Sequence, residues 1–295
     1  MLTMAKRCVF LLNTRAGALK FGPSTTELET KIRASGLGAE LIYTKSERDM
    51  SRKVAKCVAD KVEKIVVSGG DGTVHLAVQA MAGSKSVLGI LPMGTANNFA
   101  TALHLPIELN AALRTIKTGR IRQVSLGKIG RHYFTESAGV GLFADALALY
   151  GAGSNKNILK ASIAILKLLL FLPRARMKIT LDNKEIIERA VMCTVANTFR
   201  FGASYPIAPD AILTDDFLDV VIIGNIRRRE IPLYYRALRS QNLGSLPKVQ
   251  VEKTRSVKIE AFKRLNVHCD DKVIGTTPAS VTIAPRILRV MTPEL

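Results

Sequence analysis

The sequence has no tryptophan, and aromatic residues make up only 5% of it. Acidic residues are also few, 24 against 43 lysines and arginines, which gives a formal net charge of +19. Such a charge attracts polyanions: nucleic acids, nucleotides or an anionic membrane surface. Nucleic-acid binding is favoured by aromatic side chains interleaved with basic ones. Because aromatic residues are so few, the charge favours a nucleotide and a membrane surface, and no other feature of the sequence supports nucleic-acid binding.

Cysteine is scarce as well, with Cys8, Cys57, Cys193 and Cys269 far apart in the chain. No two of them have the CxxC spacing of a zinc or redox site, so a cytoplasmic protein is expected. Long apolar runs are also missing. The longest, residues 158–172, contains Lys160 and Lys167 and is shorter than the about 20 residues of a spanning helix. The apolar run at residues 8–12 is too short for the apolar region of a signal peptide, which needs about seven residues or more.

The 295 residues, 47% of them hydrophobic, are enough for two domains. In the first part of the chain, apolar runs of strand length alternate with helical stretches, which predicts a parallel α/β domain. We predict strands at residues 9–12, 39–43, 65–68 and 86–91, and helices at residues 24–35, 49–61 and 74–81. Ser24 is the expected cap of the first helix.

After residue 119, period-two alternation and turn signals predict a β-rich second domain. Its predicted strands are residues 123–129, 132–137, 177–181, 186–195, 220–223 and 278–285. Two helices, residues 142–150 and 158–171, are predicted as insertions. The second helix precedes a basic cluster at residues 173–178, which indicates either a membrane-docking segment or a helix buried against the sheet with solvated arginines after it.

A glycine turn lies between the strand at residues 65–68 and the following helix, and it consists of Gly69, Gly70, Asp71, Gly72 and Thr73. Glycine allows positive φ and a close approach of the backbone to a ligand, and the N–H groups that open a helix point at an anion. A carboxylate there repels phosphates unless a divalent cation lies between them. Asp71 is therefore interpreted as a Mg²⁺ or catalytic carboxylate, with a simple helix cap as the alternative.

A second turn, residues 92–100, follows the strand at residues 86–91 and begins another helix. Thr95 or Asn97 can cap that helix and offer hydrogen bonds to a ligand. Both turns are expected at the carboxyl edge of the sheet, where α/β folds bind ligands.

The motif GGDGT, followed about twenty residues later by GxxPxGTxNxFA, resembles the diacylglycerol kinase catalytic family. That family includes bacterial diacylglycerol kinases, YegS-type lipid kinases, and the sphingosine and ceramide kinases. NAD kinases and 6-phosphofructokinases share the first motif but not the second. The resemblance implies Mg²⁺-dependent transfer of the γ-phosphoryl group of ATP to the hydroxyl of a membrane lipid such as diacylglycerol.

The resemblance also implies the architecture. A nucleotide-binding α/β domain of the NAD kinase and phosphofructokinase type is expected at residues 1–120, joined by a final strand at residues 286–295. A β-sandwich-like lipid-binding domain with inserted helices is expected at residues 121–285, with the site in the cleft between the domains.

Nucleotide contacts follow from the same resemblance and involve Asn13, Thr44, Gly69, Gly70, Asp71, Gly72, Thr73, Gly94, Thr95 and Asn97. Asn13 begins a polar turn, residues 13–17, that is similar to the Asn-Pro-x-x-Gly loop of the family. Thr44 holds the position of a nucleotide-contacting threonine, and an ordinary strand-end threonine is the alternative.

Four acidic residues lie close together in the second domain, at Asp210, Asp215, Asp216 and Asp219. They repel one another unless a cation or basic partners intervene. The stretch is similar to the family signature Ala-Pro-x-Ala…Asp-Gly-x-Leu-Asp, in which one carboxylate and two main-chain carbonyls hold a structural Mg²⁺. Carried over by spacing, the ligands are Asp216 and the carbonyls of Leu213 and Leu218. Phe217 then stands where the family has glycine.

The last acidic turn is Asp270-Asp271-Lys272, where the family has Asp-Gly-Glu with the glutamate as the proposed general base. Lys272 occupies the position of that glutamate. An ammonium accepts a proton only if its pKa falls by several units, and neighbouring carboxylates raise it instead. Asp271, together with Asp270, is therefore the candidate for the base; otherwise the kinase is weak or inactive.

These observations predict a cytoplasmic lipid kinase that associates peripherally with an anionic membrane surface and acts on a lipid alcohol. The sequence leaves open whether the protein forms a homodimer. The competing hypotheses are a nucleotide- or lipid-binding protein without activity and an NAD kinase-like enzyme.

Overall fold

The computed structural model describes residues 8–13, 24–150 and 170–294. The chain forms two compact units, Met1–Leu126 with Pro285–Leu295, and Gly127–Ala284. Within the described residues, no helix is long and apolar enough to cross a membrane. Two predicted features lie outside the described residues: the loop after Asn13 and all but the last two residues of the helix predicted at residues 158–171.

Unit 1 is built on a parallel sheet in the order β2-β1-β3-β4. Its strands are β1 (Cys8–Asn13), β2 (Glu40–Thr44), β3 (Lys64–Gly69) and β4 (Val87–Pro92). The carboxyl-terminal part of the long strand β16 (Ala279–Thr292) runs parallel to β4. The connections contain the helices α1 (Thr25–Ala34), α2 (Glu47–Ala59), α3 (Asp71–Met81), α4 (Asn98–Ala102) and α5 (Leu109–Thr118). The predicted parallel α/β architecture is confirmed.

The core of unit 1 explains why these stretches become strands and helices. Phe10 of β1 and Val66 of β3 are fully buried, and Leu28 and Ile32 of α1 pack against them. Leu28 and Ile32 are four residues apart, so they share one face of the helix. The Ser24 side chain accepts a hydrogen bond from the Glu27 N–H, as predicted for the cap of α1.

Unit 2 contains a six-stranded antiparallel sheet in the order β12-β11-β10-β7-β14-β15. These strands are β7 (Ser137–Gly141), β10 (Met192–Ala196), β11 (Leu218–Ile223), β12 (Val249–Thr254), β14 (Asn266–Cys269) and β15 (Lys272–Thr276). A second layer has the order β16-β13-β8-β9, with β8 (Ala175–Leu181), β9 (Glu185–Ala190) and β13 (Ser256–Ala261). Side chains of both layers form one apolar core, so the predicted β-sandwich is confirmed.

The remaining elements are a hairpin and two helices. A hairpin links β5 (Arg120–Ile129) to β6 (His132–Phe134), as predicted. Among its described residues, unit 2 also contains the α-helices α6 (Leu142–Tyr150) and α7 (Ile231–Arg239). The strand predicted at residues 186–195 is wrong in one respect, because it divides at Val191 into β9 and β10, which belong to different layers. The Val191 N–H donates to the Ile223 carbonyl, where the chain passes from one layer to the other.

Candidate nucleotide and catalytic site

The two glycine turns of unit 1 pack backbone against backbone. A Cβ atom on Gly94 would lie 2.4 Å from the Gly70 Cα, and one on Gly70 would lie 2.8 Å from the Gly94 Cα. The Met93 N–H donates to the Gly69 carbonyl at 3.0 Å, which fixes the two turns together. Both turns follow adjacent parallel strands, β3 and β4, so they lie at the carboxyl edge of the sheet.

The glycines of these two turns do not use the left-handed conformation that glycine allows. Gly70 has φ −92°, and no glycine of either turn is among the described residues with positive φ. Glycine is required here for a different reason, since a side chain on one turn would collide with the main chain of the other. The residue that takes the left-handed conformation is Asn97, with φ 51°.

Asn97 holds the N-cap position of α4, but its side chain does not cap that helix. Its Oδ1 accepts from the Gly94 N–H at 2.8 Å, and its Nδ2 donates to the Gly94 carbonyl at 2.9 Å. The side chain therefore closes the second turn and holds Gly94 against Gly70. Thr95, which lies between Gly94 and Asn97 in the sequence, is exposed.

Asp71 joins the two turns. Gly70, not Asp71, is the N-cap of α3, and Asp71 is the first residue of that helix. The Asp71 Oδ1 accepts a hydrogen bond from the Phe99 N–H at 3.2 Å, in the first turn of α4. The carboxylate thus stabilises the start of a helix 28 residues away.

Two further predicted contacts lie at the ends of neighbouring strands. Asn13 pairs with Thr44 across β1 and β2, and the Asn13 Nδ2 donates to the Thr73 Oγ1 at 3.2 Å. Asn13 is therefore held against the first turn of α3. Thr44 is 1% exposed, and its hydroxyl donates to the Leu12 carbonyl at 3.2 Å. This bond holds the Thr44 hydroxyl against the end of β1.

The donor set of unit 1 suits a Mg²⁺ ion that arrives with a nucleotide. Such an ion takes only one or two protein carboxylates, and phosphate and water oxygens complete its coordination. Asp71 supplies one carboxylate at the glycine turn. Within the described part of the chain, no group of three or more His, Cys, Asp or Glu side chains is arranged to hold a metal by protein ligands alone.

The acidic turn before β11 has a different geometry from the one predicted by spacing. Asp216 has φ 60°, the conformation that favours glycine, so Asp216 rather than Phe217 corresponds to the glycine of the family pattern. The carboxylate of that pattern then corresponds to Asp215, one residue earlier. Phe217 is held by a cation–π contact with Arg255, whose guanidinium lies 4.9 Å from the ring centre.

Lys253 of β12 lies among these carboxylates. Its Nζ is 2.9 Å from an oxygen of Asp215, 3.4 Å from one of Asp219 and 3.4 Å from the Asp210 carbonyl. Burial raises the pKa of Asp219, and Lys253 opposes that increase. Burial alone lowers the pKa of Lys253, but hydrogen bonding to Asp215 and the charge of Asp219 produce a net increase. A charged ammonium therefore lies among these carboxylates and compensates the charge of Asp215 and Asp219.

The turn between β14 and β15 consists of Asp270 and Asp271, and Asp270 takes a left-handed conformation with φ 48°. Asp270 is 7% exposed, and both of its carboxylate oxygens accept hydrogen bonds. The donors to Oδ2 are the N–H and hydroxyl of Thr135, each at 3.0 Å. The donors to Oδ1 are the N–H groups of Glu136 at 2.8 Å and Ser137 at 3.2 Å. With four hydrogen-bond donors, Asp270 has a structural role, whereas Asp271 and Lys272 are partly exposed.

The sequence did not predict the buried polar groups around Asp270, among them Glu136 and Asn197. Glu136 is 6% exposed, and its Oε2 accepts from the Gly202 N–H at 3.0 Å. The Asn197 Nδ2 donates to the Thr135 carbonyl at 3.1 Å. The available signal was a glutamate between Thr135 and Ser137 at the end of a predicted strand, because a buried carboxylate needs hydrogen-bond donors.

Comparison with known proteins agrees with this arrangement. Residues 7–129 match the model of the diacylglycerol kinase catalytic domain, and residues 137–292 match the YegS C-terminal NAD kinase beta sandwich-like domain. The chain belongs to the diacylglycerol kinase family. Its members are lipid kinases, and their similarity to this chain extends over both units.

Relatives in this family are distant but nearly full-length. A diacylglycerol kinase of Staphylococcus haemolyticus is 26% identical over 99% of this chain and 89% of that protein. One from Staphylococcus saprophyticus is 23% identical over 99% of this chain and 97% of that protein. A crystal structure of a diacylglycerol kinase from Bacillus anthracis superposes with a TM-score of 0.76, at 20% identity and covering 98% of each chain, which shows a common fold.

Proposed function

We propose that this protein is a Mg²⁺-dependent lipid kinase that transfers the γ-phosphoryl group of ATP to the hydroxyl of a membrane lipid such as diacylglycerol. The main support is the pair of glycine turns packed at Gly70 and Gly94, with Asp71 joining them. Curated relatives named diacylglycerol kinase, similar over nearly the whole chain, support a lipid acceptor.

In this proposal the phosphates of ATP lie on the main-chain N–H groups of residues 69–73, with Thr95 beside them. Phosphoryl transfer has a loose transition state, so the protein contributes mainly positioning and charge neutralisation. A bound Mg²⁺ would supply part of that neutralisation. Asp71 would hold the ion, and Asn13 would fix the first turn of α3 through Thr73.

The acceptor side of the proposal rests on Asp271. A general base must reach the acceptor hydroxyl, and Asp270 is already occupied by four donors. Asp271 is the adjacent, partly exposed carboxylate of the same turn. Lys272 would then neutralise phosphate charge.

A radiolabelled-ATP assay tests the function, with diacylglycerol, sphingosine and ceramide in mixed micelles and with NAD as a separate acceptor. We expect Mg²⁺-dependent labelling of a lipid. Asp71→Asn keeps an oxygen that can accept from the Phe99 N–H but removes the charge, so it should lower turnover by at least about a hundredfold without a change in stability. Asp60→Ala, an exposed aspartate at the end of α2, is the matched control and should retain wild-type activity.

The second candidate function is a nucleotide- or lipid-binding protein with little or no kinase activity. This candidate is favoured by Lys272 at the position of the family's base and by the hydrogen bonds that occupy both carboxylate oxygens of Asp270. Binding of Mg·ATP with no labelled lipid would support this candidate and contradict the kinase. Labelling of NAD instead would identify an NAD kinase-like enzyme.

A further inference from the structure

One end of the outer layer of unit 2 combines exposed apolar and basic side chains. Along β8, Met177 and Ile179 point into the core, so Arg176 and Lys178 point outward. Arg176 pairs with Arg189 of β9, and Lys178 pairs with Ile187. Ile187 is 52% exposed.

Phe262 completes this surface at the end of β13. Its N–H donates to the Arg176 carbonyl at 3.3 Å, and the Arg176 guanidinium lies 5.0 Å from the ring centre. The ring is 75% exposed, and the next two residues, Lys263 and Arg264, are exposed as well. We call the set formed by Arg176, Ile187, Arg189, Phe262, Lys263 and Arg264 the outer patch.

The charge of the outer patch is uncompensated within the described part of the chain. Ion pairs on this layer join Lys178 to Glu185 and Lys258 to Glu260, both at 2.9 Å, and none of these four residues belongs to the outer patch. The four basic residues of the patch form no ion pair among the described residues. The patch is therefore apolar and strongly positive, on a rigid sheet.

We propose that the outer patch docks the protein on an anionic lipid bilayer, with Phe262 and Ile187 at the acyl boundary and the four cations at the headgroups. An apolar surface with basic residues around it gains from both burial and attraction to anionic lipids. A second copy of this chain fits less well, because a twofold contact would bring two sets of four cations together. The proposal deepens the proposed function, since docking brings the enzyme to a membrane substrate.

Sedimentation with vesicles tests this patch, using phosphatidylcholine alone and phosphatidylcholine mixed with phosphatidylglycerol. Wild type should bind the mixed vesicles and be released by several hundred millimolar salt, because screening acts over about 8 Å at physiological ionic strength. The double variant Arg176→Glu/Arg189→Glu should lose at least about tenfold in affinity, and Phe262→Ser several-fold.

Matched controls come from α7 and the residues just before it. Arg228→Glu/Arg229→Glu makes the same change of charge at exposed positions, and Leu233→Ser removes a side chain that is 53% exposed. Both controls should stay within about twofold of wild type if binding depends on the patch and not on net charge alone. Equal losses in controls and patch variants, or none in the patch variants, would overturn the proposal. Unchanged unfolding midpoints should establish that all variants are folded.

A soluble acceptor separates this proposal from the proposed function. Short-chain diacylglycerol below its micelle concentration needs no docking, so patch variants should phosphorylate it at the wild-type rate. Patch-dependent vesicle binding without phosphorylation of any lipid by wild type would contradict the kinase and leave the docking surface standing. Loss of turnover on the soluble acceptor in the patch variants would contradict the docking role.

Discussion

At the scale of single residues, the two aspartates of the β14–β15 turn have different roles. Asp270 accepts four hydrogen bonds from three consecutive residues, Thr135 to Ser137, and so holds the start of β7 against the turn. Asp271 is the next residue and is partly exposed. Their order in the sequence does not distinguish them, but their hydrogen bonds do.

Asp270→Asn should lower the free energy of unfolding by about 2–3 kcal/mol, because an amide replaces one accepting oxygen by a donor that faces other donors. Urea unfolding monitored by circular dichroism measures this. Asp271→Asn is the neighbouring control, with an expected change of at most about 0.5 kcal/mol. Equal stability of Asp270→Asn and wild type would contradict the structural role.

Lys272→Glu should increase lipid phosphorylation, because it restores a carboxylate at the position where the family has its proposed base. Asp271→Asn should reduce whatever activity wild type has, by about 10²- to 10⁴-fold for loss of a positioned base. The rate of labelled-lipid formation at saturating ATP measures both. Wild-type turnover that is unchanged by Asp271→Asn would show that the base lies elsewhere or that none is needed.

At the scale of elements, the acidic turn before β11 is stabilised by a cation from the neighbouring strand. Lys253 extends from β12 and reaches two side chains and one carbonyl of the turn. Because β12 pairs with β11 in register, Lys253 stands opposite Asp219. The pairing of β12 with β11 therefore places the ammonium of Lys253 among the carboxylates.

Lys253→Met should destabilise the protein by about 1–2 kcal/mol, since Asp219 is buried while the lysine is partly exposed and screened. Millimolar Mg²⁺ or Ca²⁺ should restore part of the lost stability in this variant and have little effect on wild type. Thermal unfolding with and without the metal, followed by calorimetry, measures the difference. Lys258→Met, at an exposed ion pair, is the control. Strong stabilisation of wild type by Mg²⁺ would show that the turn binds a metal ion while Lys253 is present, and would contradict this prediction.

At the scale of the whole molecule, buried ionisable groups set how stability depends on pH. His268 is 1% exposed and packs edge-on against Phe143, with ring centres 4.8 Å apart. Burial lowers the pKa of His268 from 6.5 to about 4, despite the nearby Asp270 carbonyl and charge. The folded protein thus holds this histidine neutral at a pH where the unfolded chain protonates it.

Between pH 6.5 and about 4 the unfolded state binds more protons at His268 than the folded state does, so stability should fall as the pH falls through that window. The loss from this group should approach about 2 kcal/mol at pH 5. Urea unfolding at pH 7 and pH 5 measures it. His268→Gln removes the titrating group and should show a smaller decrease, whereas an equal decrease in both proteins would assign the effect to other residues.

The sequence by itself determined those features that depend on local patterns: the type of each domain, the start of α1 and the family. Alternating apolar runs identified the α/β domain and the β-rich domain, Ser24 marked the start of α1, and the spacing of GGDGT and GxxPxGTxNxFA indicated the family. The physical reason is that strand and helix periodicity, capping and turn chemistry depend on residues a few positions apart.

Only the tertiary structure decided the roles of individual side chains. Asp71 binds the start of α4, 28 residues away, and Asp270 binds Thr135, 135 residues away. Lys253 reaches Asp215 because two strands pair, and Gly70 must be glycine because Gly94 lies against it. Such contacts join segments that are distant in the chain. They follow from packing and strand register, which the order of residues along one segment does not report.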